Sequence, residues 1–206
     1  MVTRRAHWDK VWTTCDPTTA SWHQDAAELS LELVMSTGIA PLDPVVDIGG
    51  GMSRLVLGLA QRGFSDLTVV DIAAPALRLL DLELAATVAG HQVALLCSDI
   101  LDWRPTRRYA LWHDRAVNHF LVEPAHRRAY ADTLADGVVA GGHVILAAFS
   151  PDGPDRCSGL PVNRSDPETL ASEFTPAFSL RSVTIEQHRT PWHTTQSFQY
   201  LLLRRR

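Results

Sequence analysis

The segment Val45-Val46-Asp47-Ile48-Gly49-Gly50-Gly51 constrains this chain more than any other. A short, mostly apolar strand runs straight into three glycines. A helix follows from about Ser53, with Leu55, Val56, Leu59 and Ala60 on one side and Gly63 placed just past its end. A buried strand that turns through glycine into a helix is the building unit of an open parallel sheet, and ligands of such sheets bind beyond the carboxyl ends of the strands.

The same alternation continues down the chain. Leu67 to Val70 reads as a second strand ending at Asp71. The next helix carries Pro75 in its first turn, a stripe of Leu77, Leu80, Leu84 and Val88, and Gly90 beyond its end. Gln92 to Cys97 reads as a third strand ending at Asp99, and Tyr109 to Trp112 as a fourth. A helix is expected from about Pro124 to Leu134, a tight turn at Gly141-Gly142 and a fifth strand from His143 to Phe149. Ser150 to Arg164 is a loop rich in Pro, Gly and Asp, and Asp166 is placed to cap a short helix. Leu180 to Glu186 and Ser197 to Leu203 lack a helical pattern between them, which predicts an antiparallel pair. The expected architecture is α/β: a Rossmann-like seven-stranded sheet, mostly parallel with an antiparallel C-terminal β-hairpin, and helices on both faces. Residues 1–206 are expected to form a single domain. Within it, 1–38 is a helical lid segment, helical over Gln24 to Met35, and 150–165 a substrate-side loop.

Composition narrows the partners. With 206 residues, 46% of them hydrophobic and 20% charged, the chain suits one soluble α/β domain. A net charge of −4 disfavours nucleic acid, and Arg204-Arg205-Arg206 reads as a solvated tail. Cys15, Cys97 and Cys157 are odd in number and form no CxxC pair, which points to a reducing compartment. No apolar run approaches the roughly 20 residues that span a bilayer, and the opening residues lack the apolar core of a signal peptide. A cytoplasmic protein without a membrane partner is expected.

Three aspartates, Asp47, Asp71 and Asp99, fall at or just past three strand ends, with Gly49, Gly50 and Gly51 beside the first. A dinucleotide or S-adenosylmethionine (SAM) would fit such a frame. A dinucleotide fingerprint needs a third glycine where this chain has Arg54, and Asp47 would repel a pyrophosphate. SAM has no phosphate and carries a sulfonium and an ammonium, which a carboxylate suits. Asp71 is then expected to accept hydrogen bonds from the ribose hydroxyls, and Asp99 one from the adenine amine. Each aspartate alone serves equally well as a strand terminator or turn cap.

These residues carry a resemblance. Val45 to Ser53 resembles motif I of the class I SAM-dependent methyltransferases, Val69-Val70-Asp71-Ile72 is similar to motif II, and Ser98-Asp99-Ile100 to motif III. The resemblance implies that Ile72 and Ile100 join the cofactor-binding set. The opening His7-Trp8-Asp9-Lys10-Val11-Trp12 and the later Ser21-Trp22-His23-Gln24 resemble a branch that includes small protein-lysine methyltransferases. Where that branch carries a Glu/Asp-Lys-Gly-Thr type of segment, this chain reads Asp114-Arg115-Ala116-Val117-Asn118-His119-Phe120.

That segment leaves the fourth strand at the ligand edge and is the expected acceptor side. Methyl transfer from a sulfonium is an in-line displacement that asks the protein chiefly for positioning and dryness. His119 is the first candidate for a base or orienting group and His113 the second, with burial at a strand end the alternative for both. Asp114 and Arg115 are expected to pair with each other, and His188 and His193 to flank an exposed turn. His113, Asp114, His119 and Cys157 match no ligand spacing, so no metal is expected. Trp8, Trp12 and Trp22 suggest an aromatic lid, with Trp22 near the sulfonium, or plain packing. The leading reading is a SAM-dependent methyltransferase acting on N, O or S of a small molecule. The alternatives are a protein-lysine methyltransferase, an NAD-dependent oxidoreductase and a non-catalytic SAM-binding module.

Overall fold

The computed structural model describes residues 3–87 and 93–206. Val88, Gly90 and Gln92, part of the expected second helix and third strand, lie outside the described residues. Along the chain run α1 (Arg4–Thr14), α2 (Glu28–Ser36), β1 (Val45–Ile48), α3 (Arg54–Gln61), β2 (Leu67–Asp71), α4 (Ala74–Thr87), β3 (Val93–Cys97) and β4 (Tyr109–Arg115). They are followed by α5 (Pro124–Gly137), β5 (Val138–Phe149), β6 (Arg156–Cys157), β7 (Leu160–Pro161), α6 (Pro167–Ser172), β8 (Phe178–Arg189) and β9 (Thr195–Arg205).

Seven strands form one sheet in the order β3-β2-β1-β4-β5-β9-β8, and β6 and β7 form a small separate hairpin. Strands β1 to β5 are parallel, and β9 runs antiparallel between β5 and β8. This is the Rossmann-like sheet that the strand and helix alternation predicts. The chain winds outward from β1 to β3, then crosses back to place β4 on the other side of β1. The crevice between β1 and β4 is therefore the topological switch point, where ligands of open α/β sheets bind.

The central strand β1 is buried on both sides, as parallel strands covered by helices must be. One apolar core gathers Leu31 and Val34 of α2, Leu55 and Leu59 of α3, and Leu80 and Leu84 of α4. The other gathers Tyr130 and Leu134 of α5 with Leu170 of α6. Apolar spacing along each helix supplies these faces. Ser53 caps α3, accepting from the Val56 N–H at 2.9 Å, and Asp166 caps α6 through the Thr169 N–H at 2.8 Å.

Several boundaries differ from the sequence expectation. Strand β4 runs three residues past Trp112, because Asp114, polar inside a strand, is satisfied by the Tyr130 hydroxyl at 2.6 Å. Gly141 and Gly142 make no turn. They lie inside β5, where Val138 sits opposite Tyr109 and His143 opposite Leu111, so the strand bulges there. The terminal arginines are no free tail either. Arg204 and Arg205 belong to β9, and the Arg205 guanidinium lies 5.3 Å from the Phe178 ring centroid. No helix among the described residues is long and apolar enough to cross a membrane.

Candidate functional site

A cavity of about 440 Å³ opens beyond the carboxyl ends of β1, β2 and β4, within the range of small-molecule sites. Its floor is the glycine loop. Gly49 and Gly51 have φ of +62° and +53°, a region that side chains rarely adopt. A Cβ on Gly50 would lie 2.7 Å from Asp47 Oδ2, and one on Gly51 would lie 2.5 Å from the Trp12 ring. Glycine is therefore required for the loop to pass between the Asp47 carboxylate and the tryptophan above it.

Asp47 leaves β1 facing two partners. Ser53, the helix cap, donates to its Oδ2, and His113 on the neighbouring β4 meets Oδ1 through Nδ1 at 2.7 Å. The other His113 nitrogen, Nε2, lies 2.9 Å from Ser30 Oγ of α2. A carboxylate can only accept, so His113 carries its proton on Nδ1 and receives the Ser30 hydroxyl on Nε2. Both ring nitrogens are engaged, Nδ1 with Asp47 and Nε2 with Ser30. Ser30 went unnoticed in the sequence. Its signal is a hydroxyl on the buried face of α2 beside Leu31 and Val34.

Asp71 ends β2. The Gly51 N–H donates to its Oδ2 at 2.8 Å and the Ala73 N–H to its Oδ1 at 2.7 Å. Burial pushes its carboxyl up to about 6, against the lowering effect of those two backbone donors. Asp99, expected to meet a ligand amine, borders the cavity, holds the Arg4 guanidinium of α1 at 3.0 Å and accepts from the Leu101 N–H. Ile72, Ile100 and Trp22 border the cavity, as do Asp47, Gly49, Gly50, Asp71, Asp99 and His113. Gly51 forms the loop itself, beneath Trp12.

His119 is elsewhere. It is fully buried, lies off the cavity lining and packs 4.4 Å from the Phe120 ring and 4.8 Å from the Phe149 ring, centroid to centroid. Burial, with Arg115 adding to it, pulls its pKa down to about 3. The short turn Asn118–Phe120 after β4 points this ring inward, and Phe120 takes the place at the cavity.

Asp114 and Arg115 do not pair. Alternation along β4 sends Asp114 to the α5 face, where the Tyr130 hydroxyl and the Val117 and Asn118 N–H groups hold it, and sends Arg115 to the opposite face. Burial raises the Asp114 carboxyl to about 6. His188, expected at an exposed turn, is buried and lies 2.8 Å from the Ser21 carbonyl through Nε2. Cys157 borders the cavity, and burial pushes its thiol up, away from the thiolate form. Among the described residues no three His, Cys, Asp or Glu side chains gather as a metal site.

The walls are aromatic. Trp8 stands edge-on to Trp22 at 6.1 Å and to Phe120 at 5.1 Å, with Trp12 at 6.3 Å from Trp22. The lining thus combines buried carboxylates, a glycine cradle and flat apolar rings.

No family model matches the chain. Over 117 residues it is 32% identical to the ribosomal protein L11 methyltransferase of Geotalea daltonii, a match that covers 54% of this chain. The chain spans only 34% of that relative's length. Among solved structures, it is similar to the N-methyltransferase NodS of Bradyrhizobium japonicum WM9 in complex with S-adenosyl-L-homocysteine (SAH). The TM-score is 0.73 at 16% identity, with 98% of this chain and 99% of that one covered. It is similar to the magnesium protoporphyrin IX methyltransferase ChlM of Synechocystis PCC 6803 with bound SAM, at a TM-score of 0.74 and 14% identity over 100% and 99% of the two chains. The chain has the class I SAM-dependent methyltransferase fold. A third structure with this fold was solved for the conversion of a disulfide bond into a thioacetal group during echinomycin biosynthesis. It matches at a TM-score of 0.75 and 20% identity, over 96% of this chain and 91% of that one. In the methyltransferase fold of this chain, the cavity, the glycine loop and the Asp47 and Asp71 carboxylates share one end of the sheet.

Proposed function

We propose that this protein is a SAM-dependent methyltransferase whose acceptor is an N, O or S nucleophile of a small molecule. The observation that carries the reading is the cradle at the switch point. Gly49, Gly50 and Gly51 clear the space that side chains would fill, between two buried carboxylates, Asp47 and Asp71, facing one cavity. A sulfonium nucleoside fits that donor set, and a pyrophosphate beside Asp47 does not.

In this reading Asp71 holds the ribose hydroxyls, Ile72 and Ile100 flank the adenine, and Asp47, oriented by Ser53 and His113, faces the cationic amino-acid end. When bound, the cofactor supplies a methyl group already activated on sulfur. The chain's own work is to orient and to exclude water. Trp8, Trp22 and Phe120 close the acceptor end with apolar surface, and the segment 1–38 acts as the lid. His23 and His113 are the histidines on the lining, and His113 is held by Asp47 and Ser30. A protein acceptor has in its favour only the partial match to a relative named for a ribosomal protein.

Calorimetric titration with SAM, SAH and NAD tests the reading. Micromolar binding of the two adenosyl ligands and none of NAD is expected. Asp71→Ala should weaken SAH by about 1.5–3 kcal/mol, the worth of hydrogen bonds to a charged group. Binding of NAD alone would overturn the assignment.

A further inference from the structure

The cavity continues past the glycine loop to Arg115, a cation to which the reading above gives no role. Arg115 ends β4 and borders the cavity, with its side chain 11% exposed. Its guanidinium is held from three directions. Nε donates to the Tyr200 hydroxyl at 2.9 Å, Nη1 donates to the Trp22 carbonyl at 3.1 Å, and the plane lies over Phe198 with Cζ 4.5 Å from the ring centroid. Tyr200 donates its own O–H to Glu186 Oε2 at 2.9 Å, and Gln24 donates to Oε1 at 3.1 Å. Both Glu186 oxygens are thus occupied. The closest approach of Glu186 to Arg115 is 3.8 Å, at Nη2, too long for a hydrogen bond.

Nη2 is therefore a buried donor with no hydrogen-bond partner. Buried donors are nearly always paired, and those that are not call for a reason such as a ligand. The other two arginines on the lining each face a carboxylate: Arg4 meets Asp99 and Arg54 meets Glu83. Of the three, Arg115 has the buried nitrogen without a hydrogen bond, and its guanidinium is prealigned by stacking and two hydrogen bonds. A rigidly held guanidinium whose Nη2 lacks a hydrogen bond can donate from that nitrogen to a carboxylate. The surroundings add the rest of the description. Trp8, Trp22 and Phe120 present flat rings, which suit a planar partner.

We infer that Arg115 recognises a carboxylate on the methyl acceptor, and that the acceptor is a small aromatic acid. The word acceptor rests on the methyltransferase reading above. The cofactor also has a carboxylate, so the experiment separates the two sources.

Wild-type protein, R115Q and R115K are titrated with SAH and with 5′-methylthioadenosine, which lacks the amino-acid end. The SAH-saturated proteins are then titrated with benzoate and 4-hydroxybenzoate, and with the matching benzamides, by ligand-observed NMR. Wild type should bind the acids in preference to the amides. R115Q should keep SAH affinity within about twofold and lose about tenfold or more toward the acids, with R115K between them. R115K, which keeps the charge and the stem, carries the test if R115Q does not fold. Loss of SAH affinity in R115Q down to the 5′-methylthioadenosine level would assign Arg115 to the cofactor and overturn the inference. Equal binding of acids and amides, or acids unaffected by R115Q, would leave Arg115 a structural brace and overturn it as well. If wild type binds no SAH, the methyltransferase reading fails by itself, and the acid and amide titrations of the ligand-free protein still decide the role of Arg115.

Discussion

His119 lies between the rings of Phe120 and Phe149 with neither ring nitrogen hydrogen-bonded. Burial, then Arg115, holds its pKa near 3. The folded chain thus refuses a proton that the unfolded chain accepts near pH 6.5. The stability this group contributes is fully present above pH 6.5 and is lost as pH falls toward 3. From pH 7 to pH 5 the loss amounts to about 2 kcal/mol. Asp71 and Asp114 have the opposite sign. Their carboxyls are raised to about 6, so their contribution is full below about pH 4 and is lost as pH rises through 6. His119→Phe, a ring of similar size in an aromatic pocket, should flatten the acid side of the stability curve. Urea unfolding at pH 7 and pH 5 measures it: wild type should lose about 2 kcal/mol more than the variant over that interval. Equal losses would mean that the ring does not stay neutral in the fold. The sequence marks His119 as a titratable residue near a strand end. It cannot tell that the turn after β4 sends this ring into the core and Phe120 to the cavity.

Helix α1 carries no buried residue, yet Arg4, Trp8 and Trp12 line the cavity. The helix is pinned by Arg4 to Asp99 at 3.0 Å and by Arg5 to Cys97 Sγ at 3.0 Å. Arg4 is 43% exposed, so its pair contributes about 0.2–1 kcal/mol after solvent screening. A helix held by so little opens easily. Replacing Arg4 and Arg5 together by alanine should reduce hydrogen-exchange protection across Arg4–Thr14 and leave the sheet strands unchanged. SAH should then dissociate up to about fivefold faster. An unchanged exchange pattern would show that the tryptophan contacts alone hold α1. The helix has a weak sequence signature because its apolar side is only Trp8, Val11 and Trp12, and those rings face a cavity instead of a core. The opposite case is α3, whose apolar stripe, Ser53 cap and Gly63 stop are all readable, because each acts within one helix.

At the scale of the whole molecule, the ligand reading has a thermodynamic consequence. Binding to the folded state alone stabilises it by about 2.7 kcal/mol at a hundredfold excess over Kd. For a chain of this size that shift raises Tm by roughly 5–11 °C. A melting curve with and without SAH, using 5′-deoxyadenosine and NAD as controls, checks it. No rise at a concentration that saturates the calorimetric signal would mean that the unfolded chain binds equally, which a preformed cradle excludes. The sheet supports such a cradle because β1, β2 and β4 are buried parallel strands locked in register.

The local pattern by itself determined the parallel sheet, the glycine turn, the strand-end aspartates and the antiparallel C-terminal pair. Each of these follows from spacing along a few neighbouring residues: apolar runs, helical stripes and backbone freedom at Gly49 and Gly51. Only the tertiary structure decided the fate of the polar groups. Whether Asp99 meets Arg4, whether Asp114 turns to Tyr130 or toward Arg115, and whether His113 serves Asp47 depends on what sits across the sheet, up to a hundred residues away in some cases. Hydrogen-bond partners of buried side chains are chosen by packing, and packing is not written in the order of the residues.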